Sequence, residues 1–188
     1  MMEETPLVTG MLRSGNACIC DKTMIHELEL KGFGEQEDKM IILKPFESLY
    51  LLYIKKLVLK KGKRQIGFDD FMHMCQEDDP DILTKFLIYR DLRGRGYVVK
   101  DGFGFGSDFR VYEKGQFGSK GAKFLIFGFS EGRKERMGAM QKKIEQITQM
   151  GKEPIVAVIE RRGEIIYYKA NRMIFFENQA SADGPFLI

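Results

Sequence analysis

Two residues with acid–base reach close short structured segments in the second half of this 188-residue chain. Tyr112 follows the alternating Phe109 and Val111 and precedes Glu113-Lys114-Gly115, which places it at a strand's end facing the sheet edge. Lys152 ends a connection between a helix and a strand. Held together at the mouths of neighbouring strands, a phenol and an ammonium could deprotonate a hydroxyl and stabilise a crowded phosphate. Each has a plainer reading alone: the tyrosine as a structural residue, the lysine as a partner of helix C-terminal carbonyls. The surrounding charge favours a polyanion. Residues 85–123 hold nine Lys and Arg against four Asp and Glu, within a chain of net charge +3. Arg90, Arg93, Arg95, Lys100, Arg110, Lys114, Lys120 and Lys123 are the candidate contacts to a phosphodiester backbone.

Other constellations carry less. The run Gly102-Phe103-Gly104-Phe105-Gly106 resembles a phosphate loop, but no helix follows it, so it reads as a tight connection between strands. Cys18, Cys20 and His26 fit no common metal spacing, and core or half-core positions explain them. The acidic residues Asp69, Asp70, Glu77, Asp78, Asp79 and Asp81 are accounted for by a solvated loop and helix caps. An odd cysteine count without CxxC spacing, and only two histidines, argue against a structural zinc and for a reducing, cytoplasmic setting. No apolar run reaches membrane-span length.

These residues need a frame, and the periodicities supply an α/β (α+β) one. Residues 1–84 read as a small mixed domain. A hairpin pairs residues 8–12 with 17–20 across Ser14-Gly15-Asn16, and a helix over 22–30 is capped by Asp21. A strand over 40–44 stops at Pro45. A helix over 46–56 buries Phe46, Leu49, Tyr50, Tyr53 and Ile54; a strand at 57–60 and a helix at 68–75 complete the domain. A helix over 81–95, started by Asp79-Pro80 and ended by Gly94 and Gly96, bridges the two halves. Residues 85–177 form the second domain: strands at 97–100, 109–112, 124–129, 155–160 and 164–169, with an amphipathic helix from about 134 to 150. Residues 178–188 read as a loosely held tail.

The run Tyr89-Arg90-Asp91-Leu92-Arg93-x-Arg95-Gly96-Tyr97-Val98-Val99-Lys100, then Gly106-x-Asp108-Phe109-Arg110-x-Tyr112-Glu113-x-Gly115, resembles the archaeal tRNA-splicing endonuclease family. Ala157-Val158-Ile159 with Gly163-Glu164-Ile165-Ile166-Tyr167-Tyr168 is similar to that family's closing hairpin. The resemblance implies a C-terminal nuclease domain with a mixed sheet and a four-unit assembly in which final strands pair, here the segment 172–176. It implies precursor tRNA as substrate, cut at a bulge–helix–bulge without metal or cofactor, leaving a 2′,3′-cyclic phosphate and a 5′-hydroxyl. It also implies a Tyr–His–Lys site in which Tyr112 is the base and Lys152 stabilises the transition state. The histidine position holds Gly121, and neither Ser119 nor Lys120 is an obvious substitute.

Two further departures stand out. Residues 144–150 lack the arginine that active units often carry near the bulge. The turn Glu160-Arg161-Arg162-Gly163-Glu164 is net neutral where many members have an acidic docking loop. The expectation is a structural subunit beside a catalytic partner. The alternatives are an active unit with a rearranged site, or an RNA-binding module that does not cut.

Overall fold

A computed structural model describes residues 7–102, 106–130 and 137–171. The expected strand at 172–176, the tail, and Phe103, Gly104 and Phe105 of the glycine-rich run lie outside the described residues.

The first half builds a six-stranded sheet. β1 (Val8–Arg13) turns into β2 (Asn16–Ile19) through Ser14 and Gly15, whose φ values of 45° and 78° suit a two-residue hairpin. Asp21 caps α1 (Lys22–Leu30) by accepting from the Thr23 and Met24 backbone N–H groups at 2.9 and 3.1 Å. Then come β3 (Glu35–Glu37), β4 (Met40–Leu43), α2 (Pro45–Tyr53), β5 (Leu57–Lys61), β6 (Arg64–Ile66) and α3 (Phe68–Asp78). The strand order is β3-β4-β2-β1-β5-β6, antiparallel except for the β1–β5 pair. Neither β3 nor β6 is expected from the sequence pattern; each is a short, mostly polar edge strand.

α4 (Ile82–Gly94) leads into the second sheet, made of β7 (Val98–Asp101), β8 (Phe109–Tyr112), β9 (Phe124–Ser130), β10 (Glu153–Ile159) and β11 (Ile165–Lys169). Its order is β11-β10-β9-β8-β7, and α5 (Met137–Gln149) connects the parallel pair β9 and β10. Val8, Leu57 and Leu59 of the first sheet share one continuous core with Tyr89 of α4 and Phe109, Val111 and Ala157 of the second. At its centre the rings of Phe46, Tyr89 and Phe109 meet, Phe46 lying 5.1 Å from each of the other two. A smaller core of Leu125, Phe127, Met140 and Ile147 seats α5 on the opposite face of β9. Thus α4 and α5 clamp the second sheet from both sides, which fixes the strand ends that carry Tyr112 and Lys152.

A polar knot joins the halves at Gly34. Buried Glu47 accepts from the Gly34 and Lys44 backbone N–H groups, both at 2.9 Å, while the Gly34 carbonyl accepts from the Lys100 ammonium. Gly34 has φ of 60°, and a Cβ there would lie 2.6 Å from Ile41 Cγ1 and 2.9 Å from the Ile42 carbonyl oxygen. Gly34→Ala is therefore expected to cost about 2–4 kcal/mol, from a left-handed backbone and a clash with main chain; urea unfolding would measure it.

The cysteines divide by environment. Cys18 and Cys75 are buried and Cys20 is exposed. Burial, with Asp78 and Asp79 nearby, pushes the Cys75 thiol up to about 11, and burial also raises Cys18. Alkylation at pH 8 should label Cys20 at least about tenfold faster than Cys75, because the thiolate is the reacting form. Peptide mapping of a time course checks it. Among the described residues no helix is long and apolar enough to cross a membrane.

Candidate active site

Alternation along β8 sends Phe109 and Val111 into the main core and leaves Arg110 and Tyr112 half-buried on the other face. The Tyr112 ring meets Phe117 edge to face, centroids 5.0 Å apart, and so is held by the connection between β8 and β9. That connection is tied down by an ion pair between Lys123 and Glu113. The Glu113 bond also raises the Lys123 pKa, keeping the ammonium charged.

Lys152 arrives from the other side by a different device. Gly151, with φ of 70°, ends α5 in a left-handed turn. Its N–H donates to the Thr148 carbonyl at 3.0 Å, and the Lys152 N–H donates to Ile147 at 3.2 Å. Both bonds belong to a helix stop of the Schellman type. The Lys152 ammonium then crosses to the Ala122 carbonyl, just ahead of β9. It does not neutralise the carbonyls of its own helix.

The result is a pocket of about 160 Å³ lined by Arg110, Tyr112, Ala122, Leu125, Met150 and Lys152. Arg110 is steadied from the first sheet by Glu35 of β3, at 3.8 Å. Gly121 is exposed at the pocket mouth, and a Cβ built on it would have Lys152 Nζ as its nearest contact, at 3.8 Å. A side chain at 121 would thus start beside the lysine. Met150, at the end of the arginine-free segment 144–150, supplies an apolar wall. His26 and His73 sit in α1 and α3 of the first domain and do not line the pocket.

The other expected RNA contacts disperse. Lys100 is buried at 9% exposure, with its ammonium on the Gly34 carbonyl, and so lies inside the protein instead of on an RNA-facing surface. Arg93 stacks on Phe33 at 3.9 Å and donates to the Lys31 carbonyl at 3.0 Å. Arg90 covers the rings of Tyr53 and Phe86 at 5.5 and 5.7 Å. Arg95 pairs with Asp91 at 2.8 Å, and the Tyr167 hydroxyl also donates to Asp91, at 2.7 Å. Lys114 lies 5.0 Å over Tyr97, and Lys120 is exposed in the connection beside Gly121. The pocket thus gathers Arg110 from the basic run and Lys152 from outside it. Lys123 stays in its ion pairs, and the helix arginines Arg90, Arg93 and Arg95 bind α4 to its surroundings.

A phenol and two cations around one small pocket, on a mixed sheet buttressed by a second α/β unit, make a site suited to a phosphodiester. The sequence matches in both halves: residues 82–167 match the tRNA intron endonuclease catalytic C-terminal domain, and residues 8–72 its N-terminal domain. The chain is 32% identical over 146 residues to the tRNA-splicing endonuclease of Pyrococcus furiosus, spanning 77% of this chain and 84% of that one. It is 29% identical over 169 residues to the tRNA-splicing endonuclease of Methanococcus maripaludis, covering 89% and 96% of the two chains. This chain belongs to the tRNA-splicing endonuclease family.

Proposed function

We propose that this chain takes part in excising introns from precursor tRNA at bulge–helix–bulge sites, as a subunit whose own pocket lacks the general acid. The observation that carries the reading is the geometry at Gly121: beside Lys152 and at the mouth of a pocket that holds Tyr112, the position has a backbone and no side chain.

The chemistry explains why that matters. The 2′-oxygen attacks the adjacent phosphorus, its proton passes to a base, and the bond from phosphorus to the 5′-oxygen breaks. In this reading Tyr112 takes the proton, and Lys152 with Arg110 balances charge on the crowded phosphate; the shared pocket supports it. The departing 5′-oxygen needs a proton in turn. Arg110 cannot supply it, because a guanidinium does not deprotonate in proteins, and Gly121 has nothing to give. Loss of a general acid lowers rates by about 10²–10⁴. Cutting then falls to a partner subunit, and this chain contributes binding surface and assembly.

A second reading, an active unit with a rearranged site, is favoured by the way Tyr112, Lys152 and Arg110 still converge on one pocket. The two separate in one assay, cleavage of a bulge–helix–bulge RNA in EDTA by this chain alone, with Tyr112→Phe as control. No cleavage alone, restored by adding a partner subunit, supports the structural reading. Cleavage alone that vanishes in the control replaces it with the active one.

A further inference from the structure

The densest charge in the chain lies away from the pocket. Residues 54–68 contain Lys55, Lys56, Lys60, Lys61, Lys63 and Arg64 and no acidic residue, whereas the rest of the chain holds 24 Lys and Arg against 27 Asp and Glu. The net positive charge of this protein is thus the charge of one segment. It forms β5, β6 and the turn at Gly62-Lys63 between them. Lys55, Lys61, Lys63 and Arg64 are exposed, and Lys56 and Lys60 half-buried. Among the described residues Arg64 alone of the six has an ion-pair partner, Asp70 at 3.0 Å, and that pair is open to solvent. Lys60 pairs with Met11 of β1 and Gln65 of β6, on the sheet face where Thr9 and Met11 are also exposed.

We propose that the β5–β6 edge of the first sheet is a second RNA-binding surface, which grips phosphates of the precursor tRNA outside the cleavage site. The sheet order sets the geometry. β3, which touches the pocket through Glu35 and Arg110, is one edge, and β6 is the other. Five strand spacings of about 4.8 Å put roughly 24 Å between them, too far for both to hold one phosphate. The two surfaces engage separate stretches of the same RNA. A surface made mostly of flexible lysines suits a sequence-independent grip on the backbone. Edge lysines can also serve only to block strand pairing between molecules, and the test separates that role.

This inference rests on the RNA substrate proposed above. Labelled precursor tRNA is titrated with the full chain, over a range of salt, for the wild type and for Lys60→Gln/Lys61→Gln/Lys63→Gln. A second variant, Lys22→Gln/Lys39→Gln/Lys142→Gln, loses the same charge from exposed positions elsewhere. The β5–β6 variant should bind about tenfold or more weakly near physiological salt, and its slope of log affinity against log salt should shrink by roughly 2–3. The control should change either quantity far less. Equal affinities and slopes for wild type and β5–β6 variant overturn the proposal, with or without aggregation of that variant. So does an equal loss in both variants, which would reduce the effect to net charge. If the wild type itself does not bind precursor tRNA, the underlying functional reading fails as well.

Discussion

Gly121→His is expected to raise cleavage of a bulge–helix–bulge RNA by about 10²–10⁴-fold over the unmodified chain, the usual contribution of a positioned general acid. The structure permits the substitution. Gly121 does not adopt the left-handed conformation that disfavours side chains, it is exposed, and the first atom a Cβ would meet is Lys152 Nζ at 3.8 Å, an ordinary contact. An imidazole built there starts next to the lysine at the mouth of the Tyr112 pocket, and its proton is exchangeable near neutral pH. The gain should depend on the tyrosine, so Gly121→His/Tyr112→Phe should fall back to the starting rate. Single-turnover cleavage in EDTA reads both. If Gly121→His folds, as shown by an unchanged melting curve, and still does not cut faster, then the missing acid is not what limits this pocket.

The second large effect concerns stability. Lys100→Ala is expected to destabilise the fold by about 2–4 kcal/mol, because the Gly34 carbonyl loses a charged donor and the buried Glu47 carboxyl loses the nearby charge that opposes its burial. At roughly 2–4 °C per kcal/mol for a chain of this size, that is a fall in Tm on the order of 10 °C. Burial pushes the Glu47 carboxyl above its ordinary value, against the opposing pull of the Lys100 charge and two backbone N–H bonds. Burial likewise lowers the Lys100 ammonium. Without Lys100 the Glu47 carboxyl is held higher still, and the Gly34 carbonyl loses its donor.

The pH dependence follows from that direction. Between the ordinary glutamate value of about 4.3 and the raised folded value, the folded state binds more protons than the unfolded one. Stability contributed by Glu47 is therefore present at the acid end of that window and lost as pH rises through the folded pKa. Lys100→Ala should consequently be more damaging at pH 8 than at pH 5, and thermal melts at the two values check it. An equal penalty at both would mean that Glu47 does not titrate in the folded variant.

Much of this fold is legible along the chain. The Ser14-Gly15 hairpin, the Asp21 cap, the α4 stop near Gly94 and the strands β7 to β11 follow from turn chemistry and apolar periodicity, local properties that neighbouring residues encode. Tyr112 and Lys152 could be singled out for the same reason: each closes a segment whose type the pattern reveals. The edge strands β3 and β6 were not legible. Glu-Gln-Glu and Arg-Gln-Ile carry little or no apolar alternation, and their strand character comes from backbone bonds to β4 and β5, partners that composition does not name.

The fate of the cations was least visible. Arg90, Arg93, Arg95, Lys100 and Arg110 look alike in sequence, as one basic run. Tertiary packing sends Arg90 and Arg93 onto aromatic rings, Lys100 into the core beside Glu47, and Arg110 to the pocket, whereas Arg95 pairs locally with Asp91 one helical turn back. Sequence by itself determined the five helices and the apolar strands, because propensity and periodicity act over a few positions. What each charge does was decided only when two sheets closed on α4, since a cation's role depends on which carboxylate, carbonyl or ring the other half of the molecule brings within reach.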